Sequence, residues 1–181
     1  MKKSNSLFAV LLTALCIPAV SFAQYAKNTT RFYPSTLYGT ARVIASEESD
    51  RSAMDKLRVS NEKAFKSFLR DFKGATDVYV EARTDGTFLS CLVDGIRNRI
   101  QYSPKGRWRS TIQYLNASQI PEPVVSMVAH NYPEYNILRA SKVIVPEGFA
   151  YLVDIDNCSR FKTIRVNGDG IDVYQEFMKA Q

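Results

Sequence analysis

The 181-residue chain has 24 Lys and Arg against 18 Asp and Glu, a formal charge of +6, and is 45% hydrophobic. This balance excludes a long disordered tail and leaves enough apolar surface for one domain or two small halves sharing a core. With His130 as the only histidine and no Cys or His neighbour at ligand spacing, it also excludes a zinc-type metal centre.

In chain order, Lys2 and Lys3 precede an apolar run from Leu7 to Val20. Ser21-Phe22-Ala23 then forms a small-residue cleavage site before Gln24. This is the pattern of an export signal over residues 1–23, and the apolar run is too short to favour a membrane span. Leu15 stands before Cys16 where a lipoprotein signal wants a small residue, so lipidation is not expected. Processing removes Lys2 and Lys3 and no acid, so the charge falls from +6 to +4. The expected location is periplasmic or extracellular. Residues 24–58 read as an N-terminal arm lying on the folded body. Tyr25, Phe32, Tyr33, Leu37 and Tyr38 are too aromatic for a linker, Ser46 to Asp55 is polar, and Val43 to Ala45 suits a short strand.

Two similar units follow, over residues 59–117 and 118–181. The first begins with a helix: Ser60 is its expected N-cap, Phe65, Phe68, Leu69 and Phe72 share one face, and Gly74 ends it. Sixty residues on, Val125, Val128, Ala129 and Tyr132 repeat the spacing, with Pro121 and Pro123 at the entry and Pro133 at the stop. Four strands follow each helix. In the first unit they run from Val78, Phe88, Ile96 and Trp108, with turns at Asp85-Gly86, Asp94-Gly95 and Pro104-Lys105-Gly106. In the second they run from Ile137, Phe149, Phe161 and Ile171, with turns at Glu147-Gly148, Asn157-Cys158-Ser159 and Asn167-Gly168-Asp169-Gly170. The fold class is α+β: two tandem helix-plus-four-stranded antiparallel meander repeats.

The run Phe72-Lys73-Gly74-Ala75-Thr76-Asp77-Val78, the turn Tyr102-Ser103-Pro104-Lys105-Gly106, Gln119-Ile120-Pro121, Asn131-Tyr132-Pro133 and Val166-Asn167-Gly168-Asp169-Gly170 stand in a characteristic order. In these the chain resembles the PepSY-like, beta-lactamase-inhibitor-like secreted proteins of Gram-negative bacteria, from about Asn61 to the C-terminus. The resemblance implies helices packed on one side of antiparallel sheet with the other face free. It brings no catalytic residues, and fold alone does not settle function.

Catalytic signatures are missing: there is no G-x-S-x-G elbow and no cysteine beside an activating base, so the chain is not expected to be an enzyme. No cofactor is implied. Asp154, Asp156 and Asn157 lack the glycine and terminal glutamate of an EF-hand loop and read as a solvated strand end. An oxidising compartment permits a bridge between Cys91 and Cys158, but their positions in the two units are not equivalent, and two free thiols are the simpler expectation. Asn28, Asn116 and Asn157 begin glycosylation triplets that have no meaning in a bacterial source.

The charge pattern of the first sheet is the most informative feature. Alternation puts Ile96, Asn98, Ile100 and Tyr102 on one face and Arg97, Arg99 and Gln101 on the other. Carried into the next strand, it groups Trp108, Ser110, Ile112 and Tyr114 against Arg107, Arg109, Thr111 and Gln113. The open face would then present Tyr79, Arg83, Arg97, Arg99, Arg107 and Arg109 to a protein or to an anionic envelope component. Nucleic acid is a poor partner for an exported chain of modest charge. The alternative is a small-ligand or envelope-component binder, with a cleft between the repeats lined by Trp108, Tyr114 and Tyr151.

Overall fold

The computed structural model describes residues 39–180, with side chains from residue 47. The export signal and the arm up to residue 38 lie outside the described residues. Two helices open the described chain, α1 (Gly39–Ser60) and α2 (Glu62–Asp71), with Asn61 alone between them. The strand expected at Val43 to Ala45 is instead part of α1. A three-residue strand would have no ladder to join, whereas Ala, Arg, Glu, Met, Lys and Leu through this stretch all favour helix. Ser60 does not cap α2; its hydroxyl donates to the Leu57 carbonyl at 3.3 Å. Asn61 takes the role: its Oδ1 accepts from Ala64 N–H at 3.1 Å, while its amide nitrogen donates to the Ser103 carbonyl at 3.3 Å. A carboxamide accepts and donates through two separate atoms, whereas a serine hydroxyl must do both through one oxygen on a shorter side chain. Asn61 therefore ties the helix start to the turn between the third and fourth strands.

Along α2, Ala64 and Phe68 are buried, Phe65 and Phe72 pack beside them, and Leu69 stays 52% exposed. The second unit's helix, α3 (Glu122–Asn131), buries Val124 and Val128, sixty residues after Ala64 and Phe68. Ala129, expected on the buried stripe, is exposed, so the face is rotated toward Val124. The two helices end alike: Phe72 N–H bonds to Phe68 O and Tyr132 N–H to Val128 O, both at 2.9 Å.

The strands are β1 (Thr76–Arg83), β2 (Gly86–Val93), β3 (Ile96–Tyr102), β4 (Trp108–Asn116), β5 (Asn136–Val145), β6 (Gly148–Asp156), β7 (Arg160–Asn167) and β8 (Gly170–Met178). They form one antiparallel sheet of eight in sequence order. Asp94 and Gly95, at φ 49° and 75°, make the two-residue hairpin between Val93 and Ile96, a turn that requires positive φ at both positions. The hairpins expected at Asp85-Gly86 and Glu147-Gly148 are shifted by one residue: Arg83 pairs with Gly86 and Val145 with Gly148.

Two hydrophobic clusters lie on the same face of this sheet. Leu57, Ala64 and Phe68 pack on Val78, Val80, Leu89, Cys91, Ile100 and Tyr102. Val124 and Val128 pack on Leu115, Ala140, Val153, Ile155, Ile164 and Val166. The pairing Ile100↔Thr111 and Leu115↔Ala140 carries one face from the first cluster to the second. Both helices therefore cover the same side, and among the described residues no helix packs on the other.

Candidate functional site

The uncovered face can be followed strand by strand through the register. Tyr79 stands opposite Ser90, Ser90 opposite Arg99, Arg99 opposite Ile112, and Ile112 opposite Val143. In the next row Leu92, Arg97, Tyr114, Ser141, Leu152, Arg165 and Asp172 follow one another across seven strands. Ile112, Tyr114, Val143 and Leu152 are half-buried against their neighbours, and Tyr79 is 64% exposed. The centre of this face is apolar and aromatic.

From Ser110 onward the face assignment expected for β4 is reversed, while Trp108 stays on the helix side as expected. Gln101 pairs with Ser110 but Tyr102 pairs with Trp108, so Arg109 is an extra residue at a bulge. Trp108 therefore joins the helix side with Tyr102, whereas Ser110, Ile112 and Tyr114 lie on the arginine side; Thr111 and Gln113 face the helices. Trp108 fixes the helix-side arrangement further, its indole N–H donating to Thr111 Oγ1 at 2.9 Å.

Of the six candidate contact residues, Tyr79, Arg83, Arg97 and Arg99 share the open face. Arg107 lies in the β3–β4 turn and Arg109 at the bulge, both exposed and outside the regular ladder. Alternation did not anticipate how the arginines are partnered. Arg83 bonds Glu81 at 2.8 Å and stands 4.8 Å from the centre of the Phe88 ring; Arg97 bonds Asp77. Farther along the face, Arg139 pairs with Asp154 and Arg165 with Asp172, each at 2.9 Å. The hydrogen bond from Arg83 holds the Glu81 carboxyl below its usual range, with the charges of Arg83, Arg99 and Lys56 adding to it. Among the described residues, Arg99, Arg107 and Arg109 have no ion-pair partner. The surface is thus an apolar centre with internally neutralised charges and one free guanidinium, Arg99, beside Ile112.

Trp108, Tyr114 and Tyr151 do not line one cleft. Trp108 packs on the first core and Tyr151 on the second, both on the helix side, while Tyr114 is on the open face. A cleft of about 340 Å³ lies elsewhere, between α1, α2 and the start of β1, lined by Met54, Phe68, Leu69, Phe72 and Val78 with Asp50 and Lys73. The Asp50 carboxylate is already engaged by the Asp77 and Val78 amides at 3.0 and 2.6 Å, so the cleft offers apolar walls and little free hydrogen-bonding capacity.

No group of three or more His, Cys, Asp or Glu is placed to hold a metal ion among the described residues, and none of the described helices is long and apolar enough to cross a membrane. Cys91 is buried and Cys158 exposed; both are free.

No protein-family model and no curated protein matches the sequence. Solved structures do. A BLIP-like protein from Bacteroides fragilis superposes with a TM-score of 0.55 at 14% identity, covering 65% of this chain and 85% of the other. The chain has a BLIP-like fold. A DUF2874 family protein from Bacteroides uniformis gives 0.52 at 12% identity, over 64% and 87% of the two chains. A Bacteroides eggerthii protein, named provisionally as periplasmic, gives 0.53 at 11%, over 66% and 88%. At these identities the likeness is one of fold. It matches the beta-lactamase-inhibitor-like side of the expected resemblance and is silent on the PepSY side.

Proposed function

We propose that the chain is an exported, non-enzymatic binding protein whose uncovered sheet face holds a protein partner and restrains or inhibits it. The observation that carries this reading is the composition of that face. Ile112, Tyr114, Val143 and Leu152 form an apolar centre flanked by Tyr79 and the unpartnered Arg99, and none of the described helices covers them. Aromatic side chains and arginine set in apolar surroundings are the usual anchors of protein interfaces. Because Arg83, Arg97, Arg139 and Arg165 are neutralised in place, the face suits a protein with a mixed apolar and acidic surface better than a polyanion. The inhibitor-like fold of one structural neighbour and the provisional periplasmic name of another support the class of function and the compartment.

The test is a cross-linked pull-down from an envelope extract with four baits: the processed chain, Arg97→Glu with Arg99→Glu, Tyr114→Ala, and Lys66→Glu on the exposed side of α2 as control. One protein retained by the first and last baits, and at least tenfold depleted on the other two, is the expected result. Identical retention on all four baits would retire the face.

A further inference from the structure

The two edges of the sheet are finished differently. Along β1, helix α1 occupies the edge: Asp50 accepts from the Asp77 and Val78 N–H groups, and Lys56 Nζ donates to the Val80 carbonyl at 2.9 Å. A carboxylate and an ammonium stand where another strand would pair. Along β8 no described residue does this. The strand is nine residues long and leaves Phe177 51% and Met178 77% exposed.

The geometry of its C-terminal half is defined. Lys179 N–H donates back to the Ser159 carbonyl at 2.9 Å, so the backbone groups of Gln175, Phe177 and Lys179 face β7 and those of Glu176 and Met178 face outward. The register shift at Tyr174 interrupts the N-terminal half and leaves Gln175 onward as the regular stretch.

We propose that this edge pairs with a second copy of the chain, antiparallel about a two-fold axis at Phe177, so that one sheet runs through both molecules. In this register Glu176 of each copy faces Met178 of the other, and each pair exchanges its N–H and C=O groups. Phe177 meets its own counterpart at the axis and extends the Phe161↔Phe177 pair already present on the open face. Gln175 meets Lys179. Charge permits the encounter, because Glu176 is already bonded by Arg160 at 2.7 Å with Lys162 at 3.7 Å, so the two copies bring no unpaired acids together. The occupied β1 edge decides the form of the assembly. Pairing of β8 with β1 would propagate as an open filament, but α1 blocks it; β8 with β8 closes at two copies.

Sedimentation of the processed chain across the micromolar range is expected to show a reversible monomer–dimer equilibrium. Met178→Pro deletes only an outward N–H, which an edge strand tolerates, and should raise the dissociation constant at least tenfold with an unchanged circular dichroism spectrum. A second pair of variants reads the register even if the proline variant does not fold. On a Cys158→Ser background, Phe177→Cys should form a disulfide-linked dimer in oxidised glutathione, and Val173→Cys should not. A chain that stays monomeric throughout, a dimer indifferent to a folded Met178→Pro, or cross-linking at position 173 instead of 177 overturns the proposal.

Discussion

Cys91 and Tyr102 are both buried in the first core, and burial pushes the thiol up to about 11 and the phenol up to about 12. Both groups are neutral when protonated, and their folded values lie above the ordinary values of 9.0 and 10.0. The stability each contributes is therefore complete below the unfolded value and lost as pH rises through the folded one. Urea midpoints should hold steady up to pH 9 and then fall, over pH 9–11 for Cys91 and 10–12 for Tyr102; Cys91→Ala should delay the onset into the tyrosine window. A second residue-scale prediction concerns the Asn61–Gly106 contact. Gly106 has φ 74°, and a Cβ there would sit 2.5 Å from Lys63 Cβ and 2.7 Å from Asn61 Oδ1. Gly106→Ala should cost about 2 kcal/mol or more in chemical denaturation, through left-handed backbone strain plus the clash. Asn61→Ala should cost about 1–2 kcal/mol, for the lost cap and the lost bond to the turn. At this scale sequence and structure part for a definite reason. Alternation read from Trp108 assigned Ile112 and Tyr114 to the wrong face because one bulged residue, Arg109, reverses the phase, and no residue type announces it. The partners of the arginines are only partly legible. Glu81 is two residues from Arg83 and was visible, whereas Asp77 meets Arg97 and Asp154 meets Arg139 only once strand register is known.

Helix α1 shows what periodicity can and cannot detect. Its described part buries only Leu57, with Ala53 and Met54 partly covered, so there is no apolar stripe to read, whereas α2 announces itself through Phe65, Phe68 and Phe72. The structural value of α1 is polar instead, lying in the bonds from Asp50 and Lys56 to the β1 backbone. Asp50→Ala should leave the Asp77 and Val78 amides without their acceptor and cost about 1–3 kcal/mol. It should also raise the aggregation rate, because it bares a sheet edge. Light scattering at temperatures below the unfolding transition would measure this, and Asp50→Asn, which keeps an acceptor, should restore much of the loss. A variant as stable and as soluble as the wild type would remove the edge-capping role. The eight strands and the offset of sixty between α2 and α3 were legible because every turn is marked by Gly, Pro, Asp or Asn and each strand is long enough to alternate.

The repeated units are joined more closely than two beads on a string. Leu115, on the last strand of the first unit, is buried in the second core, and Ile96 of β3 packs against that core as well. The β4–β5 ladder, from Thr111↔Ile144 to Asn116↔Arg139, fuses the two meanders into a single sheet. A second unit alone would lack these side chains and would expose β5 as a bare edge, so the sequence repeat does not mark two independently stable domains. The consequence is measurable. Phe68→Ala empties a fully packed position in the first core and should cost about 3–5 kcal/mol. If the sheet couples the halves, the fluorescence of Trp108, which packs on the first core, and that of a label placed at Cys158 in the second unit should shift to the same lower urea concentration. Val128→Ala should do the same from the other side, by a smaller amount because valine is the smaller side chain. Separate midpoints for the two probes in either variant would mean that the halves unfold independently and that Leu115 and the β4–β5 ladder do not transmit the loss.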